Sequence, residues 1–205
     1  LIVANERERI NKDLHDDIGA TLSSMHIYGD LAGNLLNSQP DEGRKMIEKI
    51  SITSKELMTR MGDIIWSMKP ANEEKYTLES RLKNYCTELL SPKNIMFSFD
   101  VDDKLAAAVT HPEIRKNILL IAKEAINNIA KYSEATQVVL SFKQQKENIV
   151  LCITDNGKGF DPGKTIPGNG LGNMKQRCEQ LSGICKIESE PGKGTGINCS
   201  FPFKK

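Results

Sequence analysis

Ile149-Val150-Leu151-Cys152-Ile153-Thr154-Asp155-Asn156-Gly157-Lys158-Gly159-Phe160 decides the fold of the larger part of this chain. A short apolar run bounded by turn residues reads as a buried strand. It delivers one carboxylate at its end, directly into glycines that let the backbone approach a flat ligand closely. An aspartate so placed can accept a hydrogen bond from an adenine amino group; the competing reading is an ordinary D-N-G turn. Working outward, residues 95–101, 137–142, 184–189 and 196–201 carry further strand patterns. Helical patterns cover 78–90, 112–132, opened by proline at its first turn, and about 171–181. Helices set between antiparallel hairpins predict a two-layer α+β sandwich rather than a repeating βαβ sheet.

Upstream the period changes. Residues 3 to about 37 are charged and aliphatic, with an apolar stripe of Leu14, Ile18, Leu22 and Met25, and predict one long helix. The turn set Asn37-Ser38-Gln39-Pro40-Asp41 interrupts it, and Met46, Ile47, Ile50, Leu57, Met61, Ile64 and Ile65 carry a second helix to about Met68. Such an all-α helical hairpin has too little core to stand alone, and pairing with a second copy into a dimeric four-helix bundle buries both stripes. Lys69-Pro70 ends the hairpin, since proline disfavours helix at the residue before it. The expected domains are therefore 1–69 and 70–205.

Composition narrows the partners. Twenty-eight lysines and arginines against 27 aspartates and glutamates give a net charge of +1, so no global field favours nucleic acid or an anionic bilayer. Cys86, Cys152, Cys178, Cys185 and Cys199 are odd in number and lack C-x-x-C spacing, which reads as free thiols in a reducing compartment. No apolar stretch is long enough to cross a bilayer and no signal peptide is evident. The chain starts at Leu1 inside helical sequence, so the expectation is a cytoplasmic fragment, without membrane contact of its own, of a longer protein whose sensory or membrane portion lies outside it.

Four constellations could carry chemistry. Asp13-Leu14-His15-Asp16-Asp17-Ile18-Gly19-Ala20 sets an imidazole among carboxylates. At helical spacing His15 lies about 60° from the centre of the apolar stripe. A neutral histidine there can attack an electrophile through one ring nitrogen while a carboxylate holds the other; the plain alternative is an exposed, charge-decorated helix. His26 lacks carboxylate neighbours in sequence and reads as structural. Glu124, Asn128 and Lys131, at i, i+4 and i+7, share a stripe beside the apolar Ile118, Ile121, Ala125 and Ile129. They could hold Mg²⁺ and triphosphate oxygens, or merely form a solvated face. Asp155, Gly157 and Gly159 form the third. Gly168, Gly170 and Gly172 open a helix whose free amides favour phosphate, and Gly192-Lys193-Gly194-Thr195-Gly196 is either a hairpin turn or a pocket wall with the Thr195 hydroxyl as donor. Gly157 to Thr165 mimics a phosphate loop but has one residue too many between its glycines.

In this order, H-D helix, hinge, E-A-x-x-N-x-x-K, D-N-G-x-G, G-x-G-L-G and G-x-G-T, the boxes resemble the catalytic core of bacterial two-component sensor histidine kinases. The match is to the nitrate-sensor and desaturase-regulator subfamily. The resemblance implies a dimerisation and phosphotransfer hairpin followed by the ATP-binding sandwich shared with gyrase, Hsp90 and MutL. It implies His15 as phosphoacceptor, Asp16 as its orienting base, Glu124 polarising solvent, Asn128 as Mg²⁺ ligand and Lys131 against phosphate. Asp155 would read adenine, supported by Gly157, Gly159 and Thr195, and Gly168, Gly170 and Gly172 would line the lid and phosphate site. The implied cofactors are ATP and Mg²⁺; the implied partners are a second copy and a response regulator receiver domain. Movement about residues 69–75 would bring ATP to His15.

Two departures stand out. Tyr132 occupies a place where such kinases commonly have histidine, and Ala20 one where many have a glutamine that positions a dephosphorylating water. The expectation is intact kinase activity with weak phosphatase activity. The rival readings are an ATPase clamp of the same fold, and a degenerate kinase acting as a nucleotide-binding dimeric scaffold.

Overall fold

The computed structural model describes the backbone of residues 2–70, 73, 76–102, 105, 109–163 and 169–202, and the side chains of these apart from residues 2–17 and 169. The chain divides into two compact units, Leu1–Met68 and Lys69–Lys205.

The first unit is a helical hairpin of α1, Ile2–Leu35, and α2, Pro40–Ser67. Proline in the first turn of α2 has its ring angle preset for helix, and Asp41 and Glu42 beside it complement the positive end of the helix dipole. The less exposed positions recur at three-four spacing: Thr21, Met25, Tyr28, Ala32 and Leu35 on α1, and Gly43, Met46, Ile50, Leu57, Met61 and Ile64 on α2. That is the seam of an antiparallel helix pair. The stripe expected to be packed meets this seam at Met25, but Leu22 lies one position off it and remains 51% exposed. Ile27, Leu31, Ile47, Ile52, Met58 and Ile65 are likewise open. One hairpin therefore has a second apolar surface that it cannot cover itself. No helix among the described residues is long and apolar enough to cross a membrane.

The second unit places three helices against a five-stranded sheet. Its elements are α3 (Leu78–Leu90), β1 (Met96–Val101), α4 (Pro112–Asn128), β2 (Gln137–Gln145), β3 (Asn148–Asp155), α5 (Asn169–Gln180), β4 (Ile184–Ser189) and β5 (Thr195–Pro202). Thr77 caps α3, its side chain accepting from the N–H of Ser80 at 3.1 Å. The strand order is β1-β2-β3-β5-β4. β2–β3, β3–β5 and β4–β5 are antiparallel, as expected of hairpins, whereas β1 joins β2 in parallel through the α4 crossover.

Register sorts the side chains into rows across the sheet. Leu140, Ile153, Ile197 and Ile187 form one, and Phe142, Leu151, Cys199 and Cys185 the next. These rows face the helices, whose Ile118, Ile121, Ala125 and Met174 are fully buried. Each such aliphatic side chain withdrawn from water contributes about 1.5–3 kcal/mol. The predicted helix over 112–132 is not uniform. The α-helix ends at Asn128, and a π turn, Ile129–Ser133, follows, closed by Glu134 in the left-handed region at φ 55°.

Arg115 on α4 is the bulkiest buried polar residue, 1% exposed. Its guanidinium donates to the carbonyls of Lys69 and Tyr76, so it ties the segment entering this unit to the helix layer. Burial pushes its pKa down to about 10, which leaves it charged at neutral pH. Replacement by leucine strands both carbonyls without a donor; we expect Arg115→Leu to lower unfolding free energy by about 2–4 kcal/mol, read as a shift of the urea midpoint.

Candidate nucleotide site

The carboxylate that the strand reading singled out ends β3 and is 8% exposed. Asp155 Oδ1 accepts from the N–H of Gly157 at 2.8 Å. Its row continues to Thr195 on β5 and Ser189 on β4. There the Ser189 hydroxyl donates to the Gly194 carbonyl at 2.9 Å, which leaves Thr195 as the donor in the 3.0 Å pair between the two hydroxyls. Thr195 was expected to donate to a ligand. In this arrangement its proton is directed to Ser189, and its lone pairs are what it can offer.

Glycine is required where backbone meets backbone. A Cβ on Gly157 would lie 2.2 Å from the Ser133 carbonyl oxygen, and one on Gly194 would lie 2.0 Å from that of Asp155, where Gly194 also has φ +78°. The loop after β3 is thus pressed between the π turn and the β4–β5 turn. The Lys158 N–H donates to Ser133 O at 2.7 Å. Asn156 turns away from any ligand: its Oδ1 accepts from the N–H groups of Thr136 and Gln137, both at 2.9 Å, and its Nδ2 donates to Thr136 Oγ1 at 2.9 Å. Within the D-N-G box, then, the aspartate is buried at the strand end and the asparagine braces the loop.

The helix side of the site comes from α4 and α5. A Cβ on Gly170 would sit 2.1 Å from Glu124 Oε1 and 3.6 Å from Asn128 Nδ2. The glycine run at the start of α5 therefore lies directly on the acid and the amide of the second constellation, two boxes far apart in sequence. Glu124 and Asn128 are half-buried, while Lys131 is exposed and belongs to the π turn. That turn holds more residues than an α turn, so Lys131 does not keep the i, i+7 alignment expected of a straight helix. Tyr132 is 64% exposed. Gly159 adopts φ +59° against the Glu190 carbonyl, and Gly172 faces open space. Gly168 lies outside the described residues. The backbone at His15 and Asp16 is helical within α1; their side chains are outside the described ones. His26, expected to lack acidic neighbours, pairs with Asp30 one turn on at 3.6 Å on an exposed face.

Ser189 and Ser133 escaped sequence reading as parts of this site, and Asn156 and Gly194 stood in its boxes without a role of their own. Only register would have revealed Ser189, since it stands opposite Thr195 once β4 and β5 are paired.

Burial holds the Asp155 carboxyl above the ordinary value of 3.8, partly opposed by hydrogen bonds from the Gly157 and Thr195 backbone. The folded state then binds this proton more tightly than the unfolded chain. Its contribution is unfavourable at neutral pH and is relieved as pH falls through the folded value towards 3.8. We expect Asp155→Asn to melt higher than wild type at pH 7, with the difference shrinking at lower pH, as followed by circular dichroism.

Two family models match the chain in tandem. One described as histidine kinase covers residues 6–73, and one described as histidine kinase-, DNA gyrase B-, and HSP90-like ATPase covers residues 114–205. The sensor histidine kinase DesK of Bacillus subtilis is 28% identical over 205 residues, covering 98% of this chain and 52% of that protein. The sensor histidine kinase LiaS of the same organism is 25% identical over 204 residues, covering 98% and 55%. The chain thus spans about half the length of the curated relatives it matches. The Acinetobacter baumannii histidine kinase AdeS shares the fold with a TM-score of 0.58 at 14% identity, over 89% of this chain and 96% of that one. The histidine kinase domain of the Erythrobacter litoralis EL346 blue-light activated kinase does so with a TM-score of 0.56 at 15% identity, over 98% and 94%. With a helical hairpin and an ATPase-type sandwich in the order of the two family models, the chain belongs to the histidine kinase family, as a sensor-kinase core of the DesK type.

Proposed function

We propose that this chain uses ATP to phosphorylate His15 and passes the phosphoryl group to an aspartate on a response regulator receiver domain. The observation that carries the reading is a pair of groupings within one folded unit: a buried strand-end carboxylate whose Gly157 presses on the π turn that ends α4, and the glycine at the start of α5 lying on Glu124 and beside Asn128 of α4. The first suits the amino group of adenine. The second gathers hard oxygen donors and helix-terminal amides suited to a triphosphate and its cation.

In this reading residues 1–69 are the phosphotransfer and dimerisation domain and 70–205 the ATP-binding domain. Asp155 accepts from the adenine amino group, with Gly157 and Gly159 giving the ring a close backbone approach and Thr195 turning its lone pairs to the same edge. Gly168, Gly170 and Gly172 shape the phosphate end, and Lys131 supplies positive charge from the exposed π turn. Asn128 offers an amide oxygen to Mg²⁺, and Glu124 orders water beside it; both are donors this hard cation accepts. When bound, the ion neutralises phosphate charge.

A ring nitrogen of neutral His15 attacks the γ-phosphorus while the bond to the bridging oxygen breaks and ADP leaves. The proton on the other ring nitrogen passes towards Asp16. Most of the rate then comes from positioning and charge stabilisation. Ala20 is exposed and carries no hydrogen-bonding group, in keeping with weak phosphatase activity. The cytoplasm, where ATP is available, is the proposed compartment.

Incubation with γ-labelled ATP and Mg²⁺ is expected to give an acid-labile phosphoprotein. His15→Gln should abolish the label while leaving nucleotide affinity unchanged, and Asp155→Asn should weaken nucleotide binding at least tenfold, about the value of one buried charge-assisted hydrogen bond. Free phosphate without phosphoprotein would identify an ATPase clamp instead; nucleotide binding with neither product would identify a scaffold.

The open apolar surface of the hairpin is proposed to close on a second copy as a four-helix bundle. Leu22→Glu should weaken self-association at least about tenfold in sedimentation equilibrium, because the variant buries a charge at each of two symmetric positions.

A further inference from the structure

Away from the nucleotide site, three sulfur atoms converge from three elements. Cys178 on α5, Cys185 on β4 and Cys199 on β5 have Sγ atoms that all lie within 4.8 Å of one another. Cys185 and Cys199 face each other directly across the β4–β5 ladder, and the Cys199 thiol donates to Cys185 Sγ at 3.0 Å. Helix α5 lays Cys178 over this pair. The end of that helix is fixed there, since the Cys178 carbonyl accepts from the N–H groups of Leu181 and Gly183 at 3.1 and 2.8 Å. Gly183 makes the tight return possible: a Cβ there would stand 2.5 Å from the Ser200 carbonyl oxygen. Cys178 and Cys199 are fully buried and Cys185 is half-buried at the edge strand, which leaves an approach from one side. Cys152, by contrast, is paired in register with Asn198 and points to the other face of the sheet.

We propose that Cys178, Cys185 and Cys199 form a three-coordinate thiolate site for a soft monovalent cation, Cu(I). Thiolates select Cu(I), zinc and iron–sulfur clusters over hard cations. Structural zinc takes four protein ligands and the common clusters four cysteines, and no fourth Cys, His, Asp or Glu joins this group among the described residues. Trigonal coordination with metal–sulfur bonds of about 2.3 Å spaces the sulfurs about 4 Å apart. The Cys185–Cys199 pair has to open by about 1 Å from its present 3.0 Å, and the set already lies within 4.8 Å. On binding, three S–H bonds are replaced by three S–Cu bonds and three protons pass to solvent, with no change of oxidation state. The complex carries excess negative charge, which Lys175, close to Cys185, offsets in part. The site clamps the far end of the helix whose first turn rests on Glu124 and Asn128, yet its argument is independent of the kinase reading.

The test is an anaerobic titration of the reduced 205-residue chain with Cu(I), in competition with a chromophoric Cu(I) chelator. One Cu(I) per chain, an ultraviolet thiolate-to-copper band and a sulfur-only shell in X-ray absorption are expected. Cys199→Ser and, at the more accessible edge, Cys185→Ser should each weaken retention more than about 100-fold, whereas Cys152→Ser should not. Equal retention by wild type and both variants would overturn the proposal. So would stoichiometric uptake of Zn(II) with no Cu(I) retained, or a Cys185–Cys199 disulfide recovered by peptide mapping after mild peroxide treatment of a chain that retains no copper.

Discussion

Close contact of backbone with backbone around Asp155 is the constraint on which the second unit's site depends. Gly157 lies against the carbonyl of Ser133, and Gly194 against that of Asp155 itself, at separations that exclude any side chain. Those contacts let three chain segments meet at the end of β3, where the Lys158 and Gly157 amides find acceptors within the same knot. The carboxylate is thereby desolvated, which raises its pKa and reduces stability at neutral pH. A carboxylate buried at this cost is what the proposed adenine contact calls for.

The π turn after α4 belongs to the same constraint. Had the helix run on as an α-helix through Tyr132, the Ser133 carbonyl would have continued the ladder. The π turn instead stops at Glu134 in the left-handed region, and the Ser133 carbonyl faces the glycine loop as an acceptor for Lys158. π turns recur at functional sites, and the physical content here is specific. Lys131 lies in this turn rather than on the α-helix that carries Glu124 and Asn128, and it is exposed.

Legibility in the sequence followed the range of the interaction. β3 and its terminal aspartate could be read because an apolar run ending in D-N-G is a local signal, and the ends of α2 and α4 because proline marks them. The parallel placement of β1, the π turn and the hydrogen bond from Thr195 to Ser189 depend on pairing and packing that no local window contains. The contact of Gly170 with Glu124 unites boxes 46 residues apart (170 − 124) and emerges only when α5 is laid across α4. The cysteines show the same limit. Their odd number and spacing pointed to free thiols, which they are, but register and one helix crossing bring three of the five together.

The hairpin poses the opposite problem, since its pattern was legible and its burial was not. Apolar residues on α1 and α2 serve two surfaces: one seam joins the helices, and another, through Leu22, remains open within a single chain. A two-helix unit gains little from one seam, because each ordered residue loses about 1–2 kcal/mol of backbone entropy, whereas each apolar side chain buried returns about 1.5–3 kcal/mol. Closing the second surface roughly doubles the return without ordering more chain. The apolar residues of α1 and α2 thus exceed what one antiparallel seam can bury, and Leu22, one position from the seam residue Thr21, marks that excess.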